Sequence, residues 1–328
     1  MVNLVTGASG FIGSAIVRAL LRRGETVHAL VRPGRQTHAL RDLPVTILRA
    51  DITLPDTLAP VLEGVDRIYH TAAIHRVNAK ESEFQAVNVL GTRNVLRAAR
   101  TAGAGRVVLV SSEMAVGAAP PDALADEDTV WNLAPANLPY LTSLHLGEIE
   151  AFHAAATGSD VVVVNPGGML GEWDLPLGLT GRWIVEFLNG RLPAVPRFAL
   201  NVIDVDDAAE GAVLAGEQGT RGERYLITNW NTHLNELLTQ CAQMAGREAP
   251  LSVPTNLALG PGAMGGRVLE MFGLAPPLSA ALSKLSGFRW HFSNAKATRE
   301  LGLSTRPVEE TLDKAIRWYN GAGLVKRR

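Results

Sequence analysis

Cysteine is almost absent. Cys241 stands alone among 328 residues, which excludes a disulfide within the chain and any multi-thiolate metal centre; no metal site is expected. An excess of either charge is missing too. Lys and Arg total 31 against 32 Asp and Glu, a formal net charge of −1, and this balance argues against the basic footprint of a nucleic-acid-binding domain. No stretch reaches the roughly 18 uncharged apolar residues that a membrane-spanning helix needs. The opening Met1-Val2-Asn3-Leu4-Val5 lacks a basic region and runs straight into a glycine-rich turn, unlike a secretory leader. The expectation is a cytoplasmic protein with neither membrane nor nucleic acid as partner. Glycine and proline, at 32 and 18 residues, fall short of the roughly 25–30% of a low-complexity chain. What remains is a hydrophobic fraction of 47%, enough for a sizeable core, over a length that suits about two domains.

The first half alternates apolar, β-rich runs (2–6, 26–31, 45–50, 67–72, 106–111 and 160–165) with helical stretches (11–23, 57–64, 82–101 and 138–157). The runs are continuously apolar, as strands covered on both faces are. Gly64 and Gly103 sit where a left-handed C-cap would end a helix. The pattern predicts an α/β fold, a doubly wound parallel Rossmann sheet with right-handed crossovers. After residue 165 the rhythm changes. Strand-like runs at 199–205 and 224–228 flank a helix at 206–217, and from 231 onward the chain reads as helices and loops. These features divide it into a nucleotide-binding domain, 1–165 plus 201–230, and a smaller, mostly helical substrate lobe, 166–200 plus 231–328.

The sharpest local signal is Thr6-Gly7-Ala8-Ser9-Gly10-Phe11-Ile12-Gly13, behind a strand and opening a helix. Gly7 allows the tight turn, Gly10 lets the backbone approach a pyrophosphate, and Gly13 lets helix and strand pack closely. The helix N-terminus supplies N–H groups and the positive end of its dipole. At the end of the second strand a carboxylate would select NAD, whereas an arginine suits the 2′-phosphate of NADP. The chain has Val31-Arg32-Pro33-Gly34-Arg35 there, with no acid. NADP is therefore expected over NAD, with Arg32 as the phosphate partner and Arg35 assisting, unless both are plain surface arginines. Asp51 is placed to accept from the adenine amino group and Ile52 to pack on the ring; an N-cap is the alternative role for Asp51.

These residues resemble the extended short-chain dehydrogenase/reductase superfamily, in particular its NAD(P)-dependent epimerase/dehydratase members, over essentially the whole chain. Further landmarks are His70-Thr71-Ala72-Ala73, Asn88-Val89-Leu90-Gly91-Thr92, Ser111-Ser112, Tyr140, Asn165-Pro166 and Asp204-Val205-Asp206-Asp207. The layout is most similar to the dihydroflavonol-reductase-like and hopanoid-associated sugar epimerase subgroup. The resemblance implies that Gly7, Gly10, Phe11, Ile12 and Gly13 hold the pyrophosphate, that Ala72 and Ala73 lie along the cofactor, and that Pro166 lies near its carboxamide. It makes Ser112, five residues before Gly117, the catalytic hydroxyl and Tyr140 the acid/base. It also implies a two-fold homodimer through the helices at 82–101 and 138–157, where Val87, Leu90, Val95, Leu144, Leu146 and Ile149 exceed what one sheet face needs.

One departure bears on mechanism. The family pattern is Tyr-x-x-x-Lys, and here it reads Tyr140-Leu141-Thr142-Ser143-Leu144. The lysine would hold the nicotinamide ribose and lower the tyrosine pKa; Leu144 can do neither, and an unassisted tyrosine titrates near pH ~10. His145 adjoins the lost position but is turned about 100° from it along a helix. His75 and Glu113 lie on loops that would border the substrate, as acid/base groups, substrate contacts or simply satisfied polar residues. Trp131, Met169, Trp173, Met264, Met271 and Phe272 are candidate pocket-lining residues, and Gly260-Pro261-Gly262-Ala263-Met264-Gly265-Gly266 a candidate lid. Three functions follow. One is an NADP-dependent oxidoreductase of reductase or epimerase type, acting on a carbonyl or carbinol of a small, partly apolar metabolite. The others are a redox-neutral cyclase, isomerase or dehydratase, and a catalytically silent cofactor-binding protein.

Overall fold

The computed structural model describes residues 1–76, 79–175, 177–254 and 284–326. Its main layer is a parallel seven-stranded sheet. Strands β1 (Val2–Thr6), β2 (Thr26–Val31), β3 (Thr46–Arg49), β4 (Arg67–His70), β5 (Arg106–Val110), β6 (Val161–Pro166) and β10 (Arg224–Ile227) lie in the order β10-β6-β5-β4-β1-β2-β3. The apolar runs are explained by their alternation. Val5, Val108 and Val164 enter one core with α1 (Phe11–Arg22) and α7 (Val205–Gln218), whereas Leu4, Val107 and Val163 enter the opposite core with α4 (Thr92–Ala102) and α5 (Pro139–Ala156). The edge strand β3 departs from this pattern, because it is covered on little of its surface and is mostly exposed. Gly64 and Gly103 both adopt the left-handed conformation, with φ of 70°.

The helix expected at 82–101 is one continuous rod in three parts. A first turn, α3 (Glu81–Phe84), runs into a widened π segment over Gln85–Gly91 and then into α4. The widening buries Asn88, Val89 and Gly91, and such bulges often sit at functional sites.

The second lobe holds more strand than the sequence suggested. Strand β7 (Gly168–Leu170) and β11 (Trp230–His233) flank β9 (Ala199–Asp204) in a three-stranded sheet of order β11-β9-β7. So β9 pairs there, not in the main sheet, while α7 and β10 after it return to the main layer. A second small sheet pairs β8 (Ala194–Pro196) with β12 (Leu251–Val253). Trp183 and Phe187 of α6 (Leu179–Leu188), Leu237 and Cys241 of α8 (Leu234–Ala245) and Tyr319 of α10 (Val308–Gly321) close the core of this lobe. Burial there pushes the Cys241 thiol up to about 12, so it stays a packed thiol. A short helix α9 (Ala295–Leu301) packs back onto the first core.

Charged groups tie α10 to α7. Asp204 is fully buried at the end of β9, accepts from Asp206 N at 2.8 Å, and pairs with Lys314 of α10 at 3.1 Å and Arg306 at 3.6 Å. Arg306 also pairs with Asp207 at 2.8 Å. No helix among the described residues is long and apolar enough to cross a membrane.

Asp174 is a second buried acid in this lobe. It accepts from Gly178 N at 2.7 Å and from the Tyr319 hydroxyl at 3.2 Å. Burial outweighs both bonds and pushes its pKa from an ordinary 3.8 up to about 6. Because the folded value is the higher one, protonated Asp174 favours folding, and that stability is lost as pH rises through about 6. Asp174→Asn cannot ionise. Between about pH 4 and pH 7 it should gain up to about 3 kcal/mol on the wild type in urea unfolding; a difference independent of pH would refute this assignment.

Candidate active site

The site begins where β1 turns into α1. Gly7 has φ of 63°, and its carbonyl accepts from Gly10 N at 2.8 Å. A Cβ on Gly13 would lie 2.3 Å from Gly7 O, and one on Gly7 would lie 2.9 Å from Ala72 N, so both positions demand glycine. Helix α1 starts at Gly10 with no side-chain cap and no acid in its first turn. Its leading N–H groups are thus left for an anion, which fits the pyrophosphate of a dinucleotide.

A hydrogen-bonded chain braces this turn from below. Thr6 Oγ1 accepts from the N–H groups of Thr71 and Ala72, each at 3.2 Å. Its own proton goes to His70 Nδ1 at 2.7 Å, which assigns the other ring nitrogen as the N–H donor, to Thr92 Oγ1 at 3.1 Å. Thr92 in turn donates to Asn88 O at 2.8 Å. Burial lowers the His70 pKa to about 4, so the ring is neutral. The sequence contained these residues as landmarks but gave them no role. The missing signal was register, since Thr6 and His70 are paired only once β1 and β4 lie side by side.

Beyond β2, the Arg32 side chain is exposed and makes no hydrogen bond or ion pair among the described residues, whereas Arg49 donates to the carbonyls of Arg32 and Arg35 at 3.3 and 3.2 Å. Three arginines therefore share the lip beyond β2. Asp51 Oδ1 accepts from Thr53 N and Thr53 Oγ1 at 2.9 and 2.8 Å, closing a local turn. Ile52 is buried against Gly91, so its side chain serves the core beneath that turn.

A cleft continues from the loop along the ends of β4 and β5, lined by Ala72, Ala73, Asn88, Ser111, Leu144 and Gly147. Leu144 is buried there, one helical turn from Tyr140. The Asn88 side chain makes three hydrogen bonds, to the loop after β4 and to α5. It accepts from Ile74 N at 2.8 Å, donates to Ile74 O at 3.3 Å, and donates to Ser143 Oγ at 2.9 Å. Pro166 is buried at the end of β6. Ser112 caps a short turn by accepting from Met114 N at 3.3 Å, and its carbonyl accepts from Asn165 Nδ2 at 2.9 Å.

Tyr140 is half-buried, with its ring against Phe84 at 5.7 Å. Its hydroxyl lies 3.4 Å from His75 Nδ1. Burial first, and the nearby Glu113 second, drive the Tyr140 pKa well above its ordinary value. His75 keeps solvent contact at the rim, and burial lowers its pKa. Glu113 is buried beside Ser112, and burial raises its carboxyl well above the usual range.

The remaining candidates separate from this group. His145 donates from Nδ1 to Ala115 O at 3.2 Å and stacks on Trp131 with ring centres 4.4 Å apart, facing away from Tyr140. Trp131 also packs on the apolar cluster to which Tyr140 belongs. Met169 packs on the first core, and Trp173 lies under the Arg18 guanidinium at 5.1 Å. Met114, Phe84 and Leu138 provide the apolar surroundings of Tyr140, with Phe288 in the same cluster. Met264, Met271, Phe272 and the candidate lid lie outside the described residues. On the proposed dimer face Val95 and Leu144 are buried in the subunit itself, while Leu90 and Ile149 are exposed.

Comparison with known proteins agrees with this geometry. The profile of the NAD dependent epimerase/dehydratase family matches residues 3–228. A Synechocystis protein with a provisional dihydroflavonol 4-reductase name is 35% identical over 328 residues, covering 98% of this chain and 95% of its own. Sterol demethylase protein B of Methylococcus capsulatus is 33% identical over 329 residues, 99% of this chain and 100% of its own. Among solved structures, a dTDP-glucose 4,6-dehydratase double mutant of Streptomyces venezuelae with NAD bound is 26% identical. It superimposes with a TM-score of 0.79, over 98% of this chain and 97% of that one.

Proposed function

The chain belongs to the NAD dependent epimerase/dehydratase family, an enzyme class, and we propose that it is an NADP-dependent reductase of a carbonyl on a small, partly apolar metabolite. The observation that carries this reading is the half-buried Tyr140 hydroxyl, held protonated one helical turn from Leu144, which lines a cleft whose Ala72 also meets the uncapped phosphate loop at Gly7. The cofactor, when bound, would supply the hydride for the substrate carbon. Gly7, Gly10, Phe11, Ile12 and Gly13 would hold its pyrophosphate, the free N–H groups coming from the first turn of α1, Asp51 would face the adenine, and Ala72, Ala73 and Pro166 would flank its reacting half. Tyr140 would hydrogen-bond the substrate oxygen as a neutral phenol. Ser112 would add a second bond, because its hydroxyl accepts from Met114 N and still has its own proton to give.

Direction follows from charge. Oxidation of an alcohol needs a base, and a phenol whose pKa is pushed up is a poor source of one. Reduction needs donors around an oxygen that gains negative charge, which Tyr140 and Ser112 provide. The reductase name of the Synechocystis relative supports the same reading. Leu144 favours a second reading, a redox-neutral isomerisation or dehydration, since no ammonium stands where the ribose would be held. Tyr140→Phe separates the readings. NADPH oxidation on a carbonyl panel should fall on the order of 10²-fold or more, and wild-type conversion that leaves NADPH untouched would establish the redox-neutral alternative.

Cofactor choice rests on Arg32. Titration calorimetry should find NADPH bound more tightly than NADH, and Arg32→Ala should remove most of the difference as a charge-assisted contact is lost. Equal affinities in the wild type would refute it.

Assembly as a two-fold homodimer rests on the exposed Leu90 and Ile149 on adjoining helices, braced within the subunit by the Arg93–Glu150 ion pair at 2.6 Å. Light scattering should give twice the chain mass at micromolar concentration, and Ile149→Lys should shift it towards the monomer. A monomeric wild type would exclude this face.

A further inference from the structure

Glu113 is a carboxyl that the fold buries and then leaves without a partner. The residue is 4% exposed, its Oε2 is sealed from solvent, and neither oxygen accepts or donates a hydrogen bond among the described residues. An unpaired buried carboxylate costs several kcal/mol, and a structural role would have supplied it with donors. The nearby Glu148 shows the contrast. It is equally buried but is met by Asn165 and by Arg224 at 3.4 Å.

Glu113 lies on the turn after β5, beside the candidate hydroxyl Ser112 and two residues beyond Ser111 of the cleft wall. Its Oε2 fronts the turn after β6, where a Cβ on Gly167 would come within 3.2 Å. Asn201 of β9 meets the same point with an amide, which carries no charge. On α5 the titratable group that senses it is Tyr140, whose proton would be held tighter once Glu113 ionises. Glu148 and Arg224, behind Ser111 and Asn165, are paired with each other. No cation is among the groups that perturb Glu113, so burial alone governs its protonation.

We propose that Glu113 is the proton donor of this site, a carboxylic acid that gives its proton to the substrate oxygen while Tyr140 and Ser112 hydrogen-bond that oxygen. The proposal rests on the reductase reading above. The reduced nicotinamide dinucleotide, when bound, would supply the hydride for the new C–H bond, and the carbonyl π pair would move to oxygen. The Glu113 O–H bond breaks as the product O–H bond forms. The carboxylate left behind is unpaired in a dry site, and it takes a proton from solvent when the product leaves. In this way the site does without the missing ammonium. A lysine would make Tyr140 a ready acid by stabilising its phenolate; here the mobile proton sits on the neighbouring carboxyl, and Tyr140 keeps its own.

The test uses Glu113→Gln, which keeps the size and neutrality of the acid form but has no acidic proton, and Glu113→Asp, which keeps the acid on a shorter arm. Infrared spectra of the full-length protein without cofactor should show, at neutral pH, a carboxylic-acid C=O band that is absent from E113Q. With NADPH and a reducible carbonyl, E113Q should lose on the order of 10²-fold in kcat with KM changed by less than about threefold, and E113D should recover part of the rate. Retained melting temperatures establish that both variants fold. A wild type that reduces carbonyls but lacks the band, or an E113Q enzyme within about threefold of wild-type kcat, overturns the role of Glu113 and leaves the reductase reading standing. A wild type that shows the band but oxidises no NADPH overturns the reductase reading and the donor role with it.

Discussion

Everything at this site depends on how closely the β1 turn approaches its neighbours. The contact between Gly13 and Gly7 O sets the angle at which α1 leaves the sheet, and the contact of Gly7 with Ala72 N sets the depth of the cleft floor. Neither distance would hold if β4 slid along β1. The bond from Thr6 to His70 fixes that register, and Thr92 extends the brace to the helix on the far side. A neutral histidine suits this task, because one ring nitrogen accepts and the other donates, and each finds a hydroxyl. The phosphate loop is therefore a rigid cradle before any ligand arrives, which lowers the ordering cost of binding.

Around Tyr140 the electrostatics run opposite to the arrangement the family pattern implies. Leu144, Phe84 and Leu138 remove water and offer no charge, and the one coupled group, Glu113, is an acid. Both influences keep the Tyr140 proton bound, while burial lowers the pKa of the neighbouring His75. Such a chamber is poor at abstracting a proton and well suited to offering hydrogen bonds to an oxygen that gains charge, where a low local dielectric strengthens each one.

What could be read in the sequence was what lies contiguous in it. The loop from Thr6 to Gly13 carries its own geometry, and the parallel sheet follows from apolar runs whose alternate residues serve two cores. Leu144 was equally visible, because a departure at helical spacing from Tyr140 needs no tertiary information. What stayed hidden required strand or helix partners. The second sheet captures β9 because β7 and β11 offer it edges, and a run of six residues carries no mark of which sheet will take it. The stack of Trp131 on the His145 ring was equally hidden, because only the fold brings the two rings together. Glu113 could be suspected from its place beside Ser112, but its isolation could not, since the absence of partners is a property of the packed interior.

The charged knot at the end of β9 has a consequence for how the molecule can move. Lifting α10 away from α7 would strip Lys314 and Arg306 from Asp204 and strand a sealed carboxylate, a penalty of several kcal/mol. Rocking the two lobes apart like a hinged shell is therefore expensive. The two helices are thus bound to keep one relative orientation, and the end of β9 acts as a fixed pivot point between them.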